Sequence, residues 1–361
     1  MQSRQLLSEI QSFPSSRKVK IMNVCGGHER TISQSGLRSL LPEWLELIPG
    51  PGCPVCVCPE DDIQQAIALS LQPDIHVASF GDMLRVPITA ISKIPGSLLQ
   101  ARAQGGQIHP IASPQEAIAL AHKLAPDKVV FFAAGFETTM APVSAMFTAN
   151  LPDNLFFLIS GRRTAPIVKY LLRTQTTQFD ALIAPGHVAT IMGANEWQFI
   201  GDEHQLPCAV AGFETNSFLA AALDLLQQIQ HGTYQLKNHY RGIASNNGNQ
   251  RAQEALHSAF DVYDATWRGI GTIPASGYKL ATHFASRDAA QLMPNISTSN
   301  TMPKGCDCTD VVLGKIYPDQ CKLYGKACNP QQPKGPCMVS DEGACQLWWN
   351  AGIRQPTRVT P

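Results

Sequence analysis

Short apolar runs, three to six residues long, recur along the first two thirds of the chain, and each ends in a turn rich in glycine or proline. Val19–Val24 runs into CGGH, Ile75–Ser79 into FGD and Val129–Ala134 into GFETT. Leu155–Ser160 precedes GRRTAP, Ala181–Ala184 precedes PGHVAT, and Ala209–Ala211 precedes GFETN. Helical patterns follow these turns, and strands that alternate with helices imply an α/β fold with parallel sheets. Ligands of such sheets collect beyond the carboxyl ends of the strands, where all of these turns lie. One helix is expected from Glu60 to Leu71, with Pro59 near its start.

Two of the turns are alike: AAGFETT at 133–139 resembles VAGFETN at 210–216. One reading is a shared strand-to-helix turn, with glycine for a tight bend and threonine as helix cap. The other points Glu137 and Glu214 into a cleft. Neither segment is a phosphate loop, since the pattern GxxxxGK followed by Ser or Thr is absent. Past residue 232 the character changes, with Asn246, Asn247, Gly248 and Asn249 and then a turn-rich stretch from Gly269 to Gly277. Beyond residue 294 the chain is rich in Pro, Gly, Cys and Lys with little apolar periodicity. Such a segment buries little core and needs a metal or cluster to hold it. The expected division is an α/β domain over 1–112 carrying CGGH and CPVC, a second over 113–232 carrying GFETT and APGHV, and a cluster domain over 233–361.

Composition narrows the function classes. The chain has 361 residues, of which 44% are apolar, enough for two or three domains with real cores. Lys+Arg and Asp+Glu are each 28 and no basic run stands out, so nucleic acid is a poor partner. The longest apolar stretch, Val129 to Phe136, is far short of the roughly 20 residues that span a bilayer. The first residues lack the apolar segment of a signal peptide, so a cytoplasmic location is expected. In a reducing compartment cysteines serve as ligands or redox groups rather than structural disulfides.

There are eleven cysteines, unevenly placed. Cys208 stands alone and reads as a small buried hydrophobe. Cys306, Cys308, Cys321, Cys328, Cys337 and Cys345 crowd one loop-rich segment. Zinc favours paired CxxC knuckles, which this segment lacks, whereas a [4Fe–4S] cluster takes four thiolates from looser spacings. Four of the six are expected to bind the cluster, leaving two over, and the spacing does not say which. Near the other end, Cys25 and His28 lie three residues apart just past a strand, with glycines between them that allow close backbone approach and a sharp turn. Thiolate and imidazole together suit iron or zinc. GPGCPVCVC at 50–58 places Cys53 and Cys56 in a CxxC that resembles a dithiol redox turn, with a structural zinc knuckle as the alternative. The triplet is neither the C-x3-C-x2-C of radical enzymes that use S-adenosylmethionine nor the ferredoxin run.

Taken together these motifs resemble the HypD family of hydrogenase maturation proteins over nearly the whole chain. The resemblance rests on CGGH at 25–28, GPGCPVCV at 50–57, GDMLRVP at 81–87 and GSLLQARA at 96–103. It continues through GFETT at 135–139, APGHV at 184–188, WRGIG at 267–271 and the C-terminal GKIYPDQCKLYGKACNP and GPCMVSDEGAC. It implies two Rossmann-like α/β domains with parallel sheets plus a loop-rich C-terminal [4Fe–4S] domain. It also implies an assembly scaffold rather than a conventional turnover enzyme, on which the Fe(CN)2CO unit of [NiFe]-hydrogenases is built. Iron that carries CN and CO ligands, as Fe(II), would sit at Cys25 and His28 with Cys53 and Cys56 nearby. The partners implied are a small HypC-type chaperone and a HypE-type cyanide donor, with this chain a monomer within the hetero-complex. The cluster would pass electrons to the Cys53/Cys56 dithiol. Competing readings are a cluster-dependent disulfide reductase acting through Cys53/Cys56 and a plain metal-stabilised binding protein.

The chain departs from the family pattern in places. The family's GGHTH reads GGHER at 26–30, the proline after the second AGFE is Thr215, and a stretch near SxHKxxPP reads SGRRTAP at 160–166. An extra thiol, Cys58, follows CPVC. These read as changed surface loops that bear on which chaperone and hydrogenase are served. Of the remaining residues, Glu137 is the best carboxylate for orienting the CGGH site. His187 is a third ligand, a proton donor or a turn histidine. Asp82 and Arg85 either contact the cleft or pair with each other, and Trp267 and Arg268 read as packing between domains.

Overall fold

The computed structural model describes residues 3–89, 94–293 and 302–354. Eleven strands form two sheets among these residues. They are β1 (Val19–Asn23), β2 (Leu45–Pro49), β3 (Ile75–Phe80), β4 (Ile108–Ile111), β5 (Lys128–Gly135), β6 (Leu155–Arg162), β7 (Ala181–Pro185), β8 (Cys208–Ala211), β9 (Leu236–Asn238), β10 (Phe260–Trp267) and β11 (Gly271–Leu280). The first sheet runs β2-β1-β7-β8-β9 and is parallel throughout. The second runs β10-β11-β6-β5-β3-β4, parallel from β6 to β4, with β10 and β11 antiparallel at one edge.

All six apolar runs are strands, with ends within two residues of expectation. The helix after the CxxC is Glu60–Ser70, one residue shorter than expected. Of the strands that the pattern hides, β2, β4, β9 and β10 are sheet edges and β11 is interior. An edge strand tolerates proline and polar residues, and β2 and β4 hold Pro49 and Pro110. The stretch 269–277, expected to be turns, is instead largely strand β11. Its Pro274 falls where the β10–β11 register slips between Tyr263 and Ala265, a bulge that accepts a residue lacking an N–H.

The sheets do not follow the expected division at residues 112 and 232. Residues 1–112 give β1 and β2 to one sheet and β3 and β4 to the other, and residues beyond 232 supply β9 to the first and β10 and β11 to the second. Apolar periodicity identifies strands but carries no information on which strands pair. The cysteine-rich segment also has more core than its composition suggests. Val311, Met338 and Trp348 are buried in the same apolar cluster as Cys56, Ile63 and Val77. No helix among the described residues is long and apolar enough to cross a membrane.

Candidate metal centre

The parallel strands of both sheets end at one cleft of about 400 Å³. Cys25 and Pro54 line it from the first sheet, Asp82, Phe136 and Thr164 from the second, and Glu342 from the cysteine-rich segment. Close backbone contacts knit the floor together. Gly26 N–H donates to Gly52 O at 3.0 Å, and a Cβ on Gly52 would lie 2.3 Å from the Cys25 nitrogen. A Cβ on Gly26 would lie 2.3 Å from that of Glu342. These glycines are required for space. The sharp turn expected at Gly26 and Gly27 is absent, because the two open a regular helix, Gly26–Gln34, with Cys25 as its cap residue.

Cys25 is half-buried. Its thiol is pushed up to about 12 by burial and by the Glu342 carboxylate, against the pull of the His28 and Gly27 backbone N–H groups. His28 is fully buried, and burial draws it down to about 4, so its ring is neutral at pH 7. Its Nε2 lies 3.0 Å from Ala211 O, which can only accept, so Nε2 carries the proton. Nδ1 is then a buried lone pair, and it has no partner among the described residues. A backbone carbonyl on one ring nitrogen and a free lone pair on the other is the usual preparation of a metal-ligating histidine. Among the described residues no set of three or more His, Cys, Asp and Glu side chains could enclose a metal. Phe213 stacks between His28 (ring centroids 5.0 Å apart) and His187 (3.8 Å), and His187 lies exposed on the cleft.

Cys53 and Cys56 are joined in a disulfide. In this state neither is a thiolate, and neither can ligate a metal. A cavity of about 10 Å³ is lined in common by Cys25, Cys53, Cys56, Cys337 and Glu342. The CGGH site, the disulfide turn and the cysteine segment thus meet around one void.

The six cysteines of that segment form a basket. Cys306, Cys308, Cys337 and Cys345 follow one another in thiol-to-thiol contact, and the thiols of Cys321 and Cys328 feel Cys306. Backbone N–H groups aim at the sulfurs: Cys345 N donates to Cys337 Sγ at 3.2 Å and Lys334 N to Cys328 Sγ at 3.3 Å. N–H donors aimed at sulfur are the hydrogen bonds that the sulfurs of an iron–sulfur site take, although no three of these thiols are grouped to hold a metal ion as they stand. Cys208 is buried in the core, as its isolation suggested.

Several expected roles change. Glu137 does not orient the CGGH site. It is buried and accepts the Thr164 N–H at 2.8 Å and the Thr164 hydroxyl at 2.9 Å, fixing the helix Thr164–Thr174 beside the cleft. Its repeat partner Glu214 is exposed. The threonines of the repeat are not caps either, since Phe136 and Glu214 hold those positions. Asp82 lines the cleft while Arg85 donates to Pro330 O, so the two do not pair. The departures at 29 and 162 are not surface loops. Glu29 is 2% exposed and accepts from Asn23, Arg38 and Trp348. Arg162, also 2% exposed, donates to Thr266 O and faces Asp62 at 3.6 Å. Sequence reasoning missed Glu342, whose carboxyl is pushed up to about 7 by burial and by Asp82. Its place between Cys337 and Cys345 was the available signal.

Comparison with known proteins places the chain among relatives. A family model described as HypD, Hydrogenase formation hypA family, matches residues 1–352. The Hydrogenase maturation factor HypD of Escherichia coli (strain K12) is 39% identical over 344 residues, 94% of this chain and 90% of that protein. Hydrogenase maturation factor HypD2 of Bradyrhizobium diazoefficiens is 36% identical, covering 92% of this chain and 89% of its own length. The Hydrogenase expression/formation protein HupD of Azotobacter chroococcum mcd 1 is 34% identical over 99% of this chain and 96% of that one.

Proposed function

The chain belongs to the HypD family of hydrogenase maturation factors, and from that premise we propose that it is the scaffold on which iron receives its cyanide and carbonyl ligands. The observation that carries this reading is Cys25 on the cleft three residues before the buried His28, whose Nδ1 has no hydrogen-bond partner among the described residues. Cyanide and CO are strong-field ligands that favour low-spin Fe(II), and attaching them requires coordination positions that the protein does not fill. Two protein ligands leave those positions open to a chaperone cysteine and to the incoming ligands. Iron is the cargo here, and the small HypC-type chaperone and the HypE-type cyanide donor are its delivery partners.

The rest of the site supports control of redox state. The basket cysteines would hold a [4Fe–4S] cluster, which supplies single electrons. Reduction of the Cys53–Cys56 disulfide takes up two electrons and two protons and yields two thiols beside the iron position. The cavity shared by Cys25, Cys53, Cys56 and Cys337 supports a short path between the two centres.

The disulfide also favours a second reading, a cluster-dependent disulfide reductase. A reductase needs the disulfide and the basket but not Cys25 or His28. Anaerobic co-purification with the chaperone followed by infrared spectroscopy separates the two. Bands in the cyanide and CO stretching region that vanish in Cys25→Ala are expected. A tight complex with an intact cluster and no such bands would favour the reductase.

A further inference from the structure

The cysteine-rich segment has two faces. On the inner one, Cys337 lines the void shared with Cys25, Cys53 and Cys56. On the outer one, Cys306, Cys321 and Cys328 lie on loops that fold against one another. Cys328 N–H donates to Leu323 O at 2.9 Å, a Cβ on Gly305 would lie 3.8 Å from the Leu323 side chain, and one on Gly335 would lie 2.5 Å from Cys306 Sγ.

These loops carry cations. Lys304 precedes Gly305, Lys322 and Lys326 flank Leu323, and Lys334 precedes Gly335, and all four lysines are exposed. Two further exposed cations join them from other parts of the chain. Arg85 donates to Pro330 O, and Arg354 covers the Trp349 ring at 4.8 Å, beside Tyr324. Acids are fewer here: Asp310 pairs with Lys315 at 3.3 Å, and Asp307 and Asp319 are half-buried. Among the described residues none of the six cations forms an ion pair. The whole chain balances 28 basic against 28 acidic residues, so this face is a local concentration of charge and not a share of a general excess. Like charges held together repel one another, and they gain when an acidic surface covers them. None of the six lines the cleft or the void, so the face is separate from the iron position.

We propose that this outer face is the docking surface for a small acidic electron-transfer protein, which delivers the electrons that reduce Cys53–Cys56. The inference rests on the reading of the cysteine segment as an iron–sulfur site. Reduction breaks one S–S bond, takes up two electrons and two protons, and leaves two thiols. Two molecules of a one-electron donor are therefore oxidised for each disulfide, and the protons come from solvent.

The test titrates the full chain, before and after anaerobic loading with ferrous iron and sulfide, with an oxidised acidic [2Fe–2S] ferredoxin of the plant type at several salt concentrations. A parallel arm supplies the same ferredoxin reduced and follows release of the Cys53 and Cys56 thiols by alkylation and mass spectrometry. Binding should weaken as salt rises, and the double variant Lys322→Glu/Lys326→Glu should bind about tenfold more weakly and release thiols more slowly. Lys304→Glu/Lys334→Glu carries the test if the first pair does not fold. Lys123→Glu, at an exposed position on the helix Pro114–Leu124, should bind as wild type does. Charge-reversed variants whose affinity stays within about twofold of wild type overturn the docking face, and weaker binding without slower thiol release overturns the delivery. A chain that takes up no cluster refutes the reading of the segment and the delivery with it. A loaded chain whose affinity and thiol release ignore the lysines refutes the proposal alone.

Discussion

Glu29 accepts the Trp348 indole N–H at 2.8 Å and the Arg38 guanidinium at 2.9 Å while nearly fully buried. Removing it strands the partly buried Arg38 guanidinium, the expensive half of breaking an ion pair. Glu29→Ala is expected to lower stability by about 3 kcal/mol or more, read as a lower urea midpoint. Glu137 supplies a pH dependence. Burial pushes its carboxyl up to about 7 from an ordinary 4.5, so the native state holds a proton between those values that the unfolded chain has lost. Its contribution is fully present below pH 4.5 and is lost as pH rises through 7. The wild type should therefore lose stability relative to Glu137→Gln by on the order of 3 kcal/mol across that window, and parallel curves would refute the assignment. Among the basket cysteines, single substitutions should give four large losses of cluster absorbance and two small ones, and six equal losses would sink the four-ligand expectation. Cys25, His28, Cys53 and Cys56 were legible in the sequence because metal and thiol chemistry concentrates in short spacings. Glu342 and the buried role of Glu29 were not, because a single charged residue has no spacing to read and its meaning comes from what folds against it.

Loops that touch through glycine set the site's precision. Gly52 leaves room for the Cys25 backbone at a distance no side chain tolerates. Gly52→Ala should displace the helix start at Cys25, cost about 1–3 kcal/mol by overpacking, and weaken iron binding measured anaerobically by titration. Unchanged affinity would mean that the contact is incidental. The strands most readable from sequence are those buried on both faces, such as β5, where nearly every residue is buried. The edge strand β4, buried only at its two ends, escapes because its pairing partner, more than its own pattern, stabilises it.

Across the molecule, strands from distant parts of the chain share each sheet, β1 lying between β2 and β7. A fragment of residues 1–112 holds two strands of each sheet but lacks β7 beside β1 and β5 beside β3. Expressed alone, it should be unfolded by circular dichroism and rapidly proteolysed, and a cooperative melt would refute this account of the topology. The sequence pattern cannot reveal such interleaving, since each run looks alike whichever sheet receives it.

The contact between Glu29 and Trp348 spans 319 positions, and it has a consequence in time. A ribosome adds roughly 5–20 residues per second, so Cys345 is made roughly 15–65 s after Cys25 at that pace. During that interval the nascent CGGH segment has neither Glu342 beside it nor the basket behind it. The site becomes complete only when the last part of it has been translated and folded back. On the proposed reading, iron captured earlier by the growing chain would meet Cys25 without the groups that surround it in the finished protein, which puts loading after synthesis.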